Sequence, residues 1–317
     1  MNFRLGLAAA ALLALASNAQ AADKLRVGKP ANTWTFIPVD VGMAQGIFQK
    51  YGIELEISAL GGDAKVQQAL AADSLDIGLG SGPAMAFAVK GAPAMAVAAY
   101  AGPPQNMSVV VALNSPIKSV NDLNGKLLGV TTVGSLTDWL AKRIATAEKW
   151  GPDAVRIAAL GGSDAELPAL KTGEIDGMVT ASEVGYTLEE KGQAKILIEL
   201  GDYAPKFITH VVFARKALIN DNPALIERFL KGFFASIAYM KTHKAETSAV
   251  AQTVIHQSAA VASKTYDGEI SMLEDDGHFD PSAVAVIKDS LIDMKMLDRK
   301  PSDDQLFTTK FVPVKLP

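Results

Sequence analysis

Four short stretches carry the residue types that grip a small molecule: Asn32-Thr33-Trp34-Thr35, Gly80-Ser81-Gly82, Thr132 with Gly134 and Ser135, and Thr180 with Glu183. Each follows an apolar run and precedes a helical one, so each is predicted to open a helix, where unpaired N–H groups and the positive end of the dipole hold an acceptor or an anion. Hydroxyls and backbone donors bind through hydrogen bonds, without covalent chemistry. Trp34 either stacks on a planar ligand or packs in a core, and its polar neighbours favour the first. Gly82 and Pro83 read as N-cap and N1, which leaves the Ser81 hydroxyl free to face a ligand. Ser135, three residues before Asp138, is equally a capping box and a contact. Glu183 is unusual among anion-binding loops; turned inward it suits a ligand N–H, turned outward it is a solvated helix start. His210 and Lys29 are the nearby basic candidates, and each reads more readily as a hinge or surface residue than as a ligand contact.

Reactive chemistry finds little support. The chain has no cysteine and four histidines, and these form no HExxH pair. There is no GxSxG elbow and no lysine-bearing phosphate loop. The run Glu274 to His278 is charged but lacks calcium-loop spacing. The reading is a protein that binds and does not catalyse, without metal or cofactor.

The elements that must position these loops alternate along the chain. A strand over Leu25–Gly28 precedes an amphipathic helix over Ile37–Tyr51, with apolar residues at Ile37, Val41, Ala44, Ile47 and Phe48. A strand over Ile53–Leu60, a helix over Ala64–Ala72 and a strand over Asp76–Leu79 come next. From Leu127 the order returns: strand to Val130, helix to Trp150, strand Val155–Leu160, helix, strand Gly177–Thr180. Positions 57–79 and 157–179 match at an offset of 100, with eight of 23 aligned residues identical, Gly61/Gly161, Gly62/Gly162 and Asp76/Asp176 among them. So long a period excludes a solenoid and implies two similar lobes facing across a cleft.

The β-rich stretches Asn106–Leu113 and His210–Ala214 read as lobe crossings, with hinges near 109–112 and 211–214. The first lobe then comprises 22–110 plus 214–317 and the second 111–213. The helical tail, Pro223–Met240, Ala245–Gln257 and Ser282–Met294, is expected to pack back on the first lobe.

Residues 1–21 combine Arg4, an apolar run from Leu5 to Ala16, and small residues at Ala19 and Ala21, the pattern of a cleavable secretory signal. That run is short of the about 20 residues a membrane span needs. With no cysteine to carry acyl chains the mature chain has no lipid anchor, which points to the periplasm. A formal net charge of −4 argues against nucleic acid and anionic membranes as partners.

Taken together, VGMAQGIFQKYGIELEI (41–57), LDIGLGSGPAM (75–85), KGAPAMAVAAY (90–100), SVNDLNGKLLGVTTVGS (119–135) and LKTGEIDGMV (170–179) resemble the periplasmic solute-binding proteins of ABC importers. The group is the SsuA/THI5-like, or NMT1-like, family of nitrate, sulfonate, taurine and thiamine-precursor receptors. The resemblance implies a type II periplasmic-binding-protein fold: two α/β lobes, a central cleft and two crossover segments. It implies a monomer that captures a small molecule and delivers it to an ABC permease in the inner membrane, or a receptor that feeds a membrane sensor. The absence of arginine from the four loops argues against a fork-gripped sulfate or phosphate. A small organic anion of sulfonate, nitrate or carboxylate type is the expected ligand, with a neutral heteroaromatic such as a pyrimidine thiamine precursor as its rival.

Overall fold

Among the described residues, ten strands make two five-stranded sheets with helices on both faces. The computed structural model describes residues 22–317 except 134 and 152, so the leader and Gly134 lie outside the described residues. The strands are β1 (Asp23–Lys29), β2 (Ile53–Ala59), β3 (Ile77–Ser81), β4 (Ala94–Ala101), β5 (Met107–Ala112), β6 (Leu127–Val130), β7 (Arg156–Ala159), β8 (Gly177–Ala181), β9 (Ala194–Glu199) and β10 (His210–Arg215). The first sheet has the order β2-β1-β3-β10-β4 and the second β7-β6-β8-β5-β9. In each, four strands point the same way, and the fourth in spatial order, β10 or β5, runs antiparallel between its neighbours and follows the chain's passage between lobes. Two doubly wound lobes of the type II periplasmic-binding-protein fold result.

The repeat is structural as well as textual. Helices Asp63–Ala71 and Ser163–Thr172 begin at the same offset of 100, and β3 and β8 match end to end. The shared aspartates work alike: an Asp76 carboxylate oxygen accepts from Arg26 N at 3.0 Å, and one of Asp176 from Leu127 N at 2.8 Å. Each ties the start of the lobe's third strand to its first.

Three expectations are corrected. The single helix over 37–51 is a 3-10 turn, Trp34–Phe36, then helices Pro38–Ala44 and Ile47–Lys50; Gly46 at φ 63° interrupts the α ladder. Strands β4 and β9 were not foreseen, nor was the helix Ala259–Glu269. β5 lies wholly in the second sheet and β10 wholly in the first, so the passages between sheets fall at 102–106 and 200–209, ahead of the expected 109–112 and 211–214.

The tail does cover the first lobe: Phe229, Phe233 and Phe234 of helix Pro223–Thr242 pack with Phe48 and Tyr100. It also reaches the second lobe. Trp139 stacks on Phe207 at 4.7 Å and its Nε1 donates to Asp293 in helix Pro281–Asp293, and one hydrophobic cluster runs through both lobes here. No helix among the described residues is long and apolar enough to cross a membrane.

Candidate ligand-binding cleft

Where the parallel strands of both sheets end, the lobes enclose a cleft of about 790 Å³. Its walls follow the rule that ligands sit beyond the carboxyl ends of such strands. The first lobe contributes Pro30, Ala31 and Phe36 after β1, Gly61 to Ala64 after β2, and Ser81, Pro83, Ala84 and Phe87 from β3 onward. The second contributes Thr131, Thr132 and Ser135 to Thr137 after β6, and Gly161 and Gly162 after β7, with Met107, His210 and Met296 completing the lining.

The glycine pairs shape the two facing walls. Gly61 N donates to Pro30 O at 2.9 Å and Gly161 N to Thr131 O at 3.0 Å, so each pair bends back over the neighbouring loop. Gly61 (φ 80°) and Gly161 (φ 102°) hold left-handed conformations that other residues resist. Without side chains, they let a ligand approach the backbone.

Asp63 and Ser81 form the polar floor of the first lobe. Ser81 N donates to Asp63 Oδ1 at 3.0 Å and Ser81 Oγ to Oδ2 at 2.7 Å. The hydroxyl expected to be free is therefore engaged, because Asp63, at the start of the repeat helix, reaches it first. Burial pushes the Asp63 carboxyl above the usual carboxylate range against the pull of these two bonds. His210 stands opposite Ser81 in the β3–β10 ladder, its ring 4.6 Å from that of Phe36 and 5.8 Å from that of Tyr100. Burial lowers its pKa to about 3, so it is a neutral imidazole at neutral pH. Its Nε2 lies 3.5 Å from Asn106 Nδ2.

A chain of hydroxyls lines the second lobe. Thr137 Oγ1 accepts from Thr131 N at 3.0 Å and lies 3.0 Å from Thr131 Oγ1 and 2.9 Å from Ser135 Oγ. Ser135 also caps helix Leu136–Ala147 by accepting from Asp138 N at 3.3 Å, as its spacing to Asp138 predicts, and it lines the cleft as well.

Of the expected contacts, Ser81, Thr132, Ser135 and His210 line the cleft. Asn32 is exposed and Thr33 half-buried, both away from the lining. Trp34 is fully buried in the first lobe, its ring 6.2 Å from that of Tyr266, and Thr35 is buried beside it. Gly80 sits within β3; Gly82 lies beneath the surface, its Cα so close to Ile208 O that a Cβ would fall 2.0 Å from it. Thr180 is buried in β8 opposite Ser108. Glu183 is buried where the lobes meet, Oε1 accepting from Trp34 N at 3.2 Å. Lys29 is buried and spent on Asp40, at 2.7 Å. Phe36, Asp63, Phe87, Met107, Thr137 and Met296 were missed. A usable signal existed for Asp63 and the glycines: they begin the helix in the very phrase that repeats.

Comparison with known proteins places this architecture. The family model described as NMT1/THI5 like matches residues 34–247, more than half of the chain. A Haemophilus influenzae protein named "Putative thiamine biosynthesis protein" is 26% identical over 213 residues, and the chain spans about 65% of the length of this curated relative, using 65% of its own. The periplasmic aliphatic sulphonate binding protein SsuA from Escherichia coli superposes with a TM-score of 0.76 at 19% identity, over 93% of this chain and 94% of that one. A ligand binding component of an ABC-type import system from Staphylococcus aureus gives 0.76 at 17%, over 92% and 99%. The desulfurization enzyme DszB gives 0.66 at 15%, over 91% and 97%, so the fold hosts catalysis as well as binding. At these identities the structures show a shared fold.

Proposed function

The chain belongs to the NMT1/THI5-like family, and from that premise we propose that it is the periplasmic solute-binding component of an ABC importer. It captures a small, uncharged or weakly basic planar molecule between its lobes and presents the closed form to the permease. One observation carries the ligand class: among the described residues lining the cleft there is no lysine or arginine, and the charged side chain there is the carboxyl of Asp63. Phe36, Phe87, Met107 and Met296 supply apolar walls for a ring, while Asp63 and the Thr131–Thr137–Ser135 hydroxyls bind its polar edges. Ligand bridging both walls stabilises the closed form over the open one. The function needs no covalent step, and this reading takes neutral His210, with Asn106 beside its Nε2, as a ligand contact.

The organic-anion reading retains one support. Helix Ser163–Thr172 opens onto the cleft behind Gly162 with no side-chain cap, although Asp164 and Glu166 in its first turn oppose a negative ligand.

A thermal-shift and calorimetry panel separates the readings: aminopyrimidines and other neutral heteroaromatics, alkanesulfonates, nitrate and aromatic carboxylates. Heteroaromatics are expected to raise the melting temperature and anions to leave it unchanged. The opposite ranking overturns the ligand class, and silence across the panel overturns the receptor reading. With the best ligand, Asp63→Asn is expected to weaken binding about tenfold, the equivalent of about 1.4 kcal/mol, and Thr132→Ala by less.

A further inference from the structure

The lobes meet a second time, away from the cleft lining, where helix Ser182–Glu190 of the second lobe packs on helix Ala259–Glu269 of the first-lobe tail. The outer part of this junction is ordinary: Lys264 Nζ pairs with Glu189 Oε2 at 2.8 Å, and Ser258 Oγ donates to Glu190 Oε1 at 2.7 Å. Its inner end is not. Glu183 from one lobe and Glu269 from the other face each other, 3% and 0% exposed. The one hydrogen bond reaching the pair from outside it, among the described residues, is Trp34 N to Glu183 Oε1; as carboxylates, Glu183 Oε2 and both Glu269 oxygens have no partner.

Among the described residues, the surroundings offer no compensating cation. On helix Ser182–Glu190, Tyr186 donates its hydroxyl to Glu199 of β9, which adds a further negative charge near Glu269. On helix Ala259–Glu269, Lys264 is held by Glu189 and lies over the Tyr186 ring, and Tyr266 donates to Met240 O. Asp267 is paired outward with Lys244. Two buried carboxylates in contact cannot both be ionised, since neither the desolvation nor the repulsion is offset. A single proton between them converts the clash into a carboxyl–carboxylate hydrogen bond.

We propose that Glu183 and Glu269 form a proton-bridged clasp: joining the lobes at this junction takes one proton from solvent, and losing it lets them part. Burial raises Glu183 to about 6 and Glu269 well above its ordinary value. The sign follows. Parted and solvated, both groups ionise near the ordinary carboxylate range of about 4.3, so joining is most favourable below that range, weakens as pH rises through about 6, where Glu183 ionises, and is lost at the higher pH where Glu269 gives up the shared proton. The clasp is independent of which ligand occupies the cleft.

The cysteine-free chain allows a direct test. Nitroxide labels on Lys65→Cys and Val133→Cys, exposed residues on opposite lips of the cleft, report lobe separation in the full chain without added ligand. Between pH 5 and pH 8 the distance is expected to lengthen by several ångström. Glu269→Gln supplies a permanent N–H in place of the shared proton, and is expected to hold the pH 5 distance throughout; Glu183→Gln is a second variant with the same expectation. Glu166→Gln removes another buried carboxyl, raised to about 7 but within the second lobe, and is expected to behave as the parent. A distance that does not change with pH in the parent overturns the clasp, as does a change that persists in both glutamine variants.

Discussion

The loop after β1 and the loop after β6 leave equivalent strands of two sheets with the same order, yet they meet different fates. In the first, Trp34 is core, covered by Tyr266 of the tail, and only Phe36 beyond it reaches the cleft; in the second, Val133 is 73% exposed at the cleft lip. The difference comes from the chain that lies over each loop, since the tail packs chiefly on the first lobe. Equivalent positions in a duplicated fold thus acquire structural or ligand-facing duties according to what covers them.

The largest expected contrast tests this directly. Trp34→Ala should cost about 3–5 kcal/mol, the range for truncating a buried aromatic, while Val133→Ala should stay within about 0.5 kcal/mol. Urea unfolding of both variants decides it, and similar costs would break the comparison. Gly82 and Ser182 occupy the same place after β3 and β8. Gly82→Ala drives a methyl against the Ile208 carbonyl and should cost about 3 kcal/mol. Ser182→Ala removes the 2.5 Å contact with Ser108 Oγ and should cost about 1 kcal/mol.

The smallest contrast concerns the shared aspartates. Asp76 is held by Arg26 and Arg215, each at 2.8 Å, whereas the nearest cation to Asp176 is Lys126 at 3.7 Å. Although burial opposes it, hydrogen bonding from Arg26 and Arg215 carries Asp76 down to about 2. A depressed carboxyl stabilises the fold above its unfolded value and loses that contribution as pH falls towards about 2, so Asp76→Asn should cost about 2 kcal/mol at pH 7 and little near pH 2. Asp176→Asn should cost about 1 kcal/mol at pH 7, chiefly the Leu127 N–H bond. Chemical unfolding across that pH range separates the two.

Much of the fold was legible because the β-α-β phrase at 57–79 and 157–179 is local, with strands and helices set by periodicity and by Gly-Gly turns. β4 was hidden because AMAVAAYA is rich in alanine, which carries little strand preference outside a sheet. The site was less legible, since side-chain direction depends on partners far along the chain. Trp34 is covered by a residue 232 positions away, Ser81 is taken by Asp63, and Glu183 is met by Glu269. No pattern within a loop announces such pairings. Ser135 was read correctly because its cap partner is three residues on.

The strand exchange between the sheets carries a consequence for how the molecule is made. β10 lies between β3 and β4, although more than a hundred residues of the other lobe separate them in sequence. A nascent chain that has not yet delivered residues 210–215 has β3 and β4 with a vacant slot between them, two unpaired edges. The first lobe to be synthesised is therefore the last able to finish folding, and it must wait for a strand that arrives only after its sister lobe's own five strands are available.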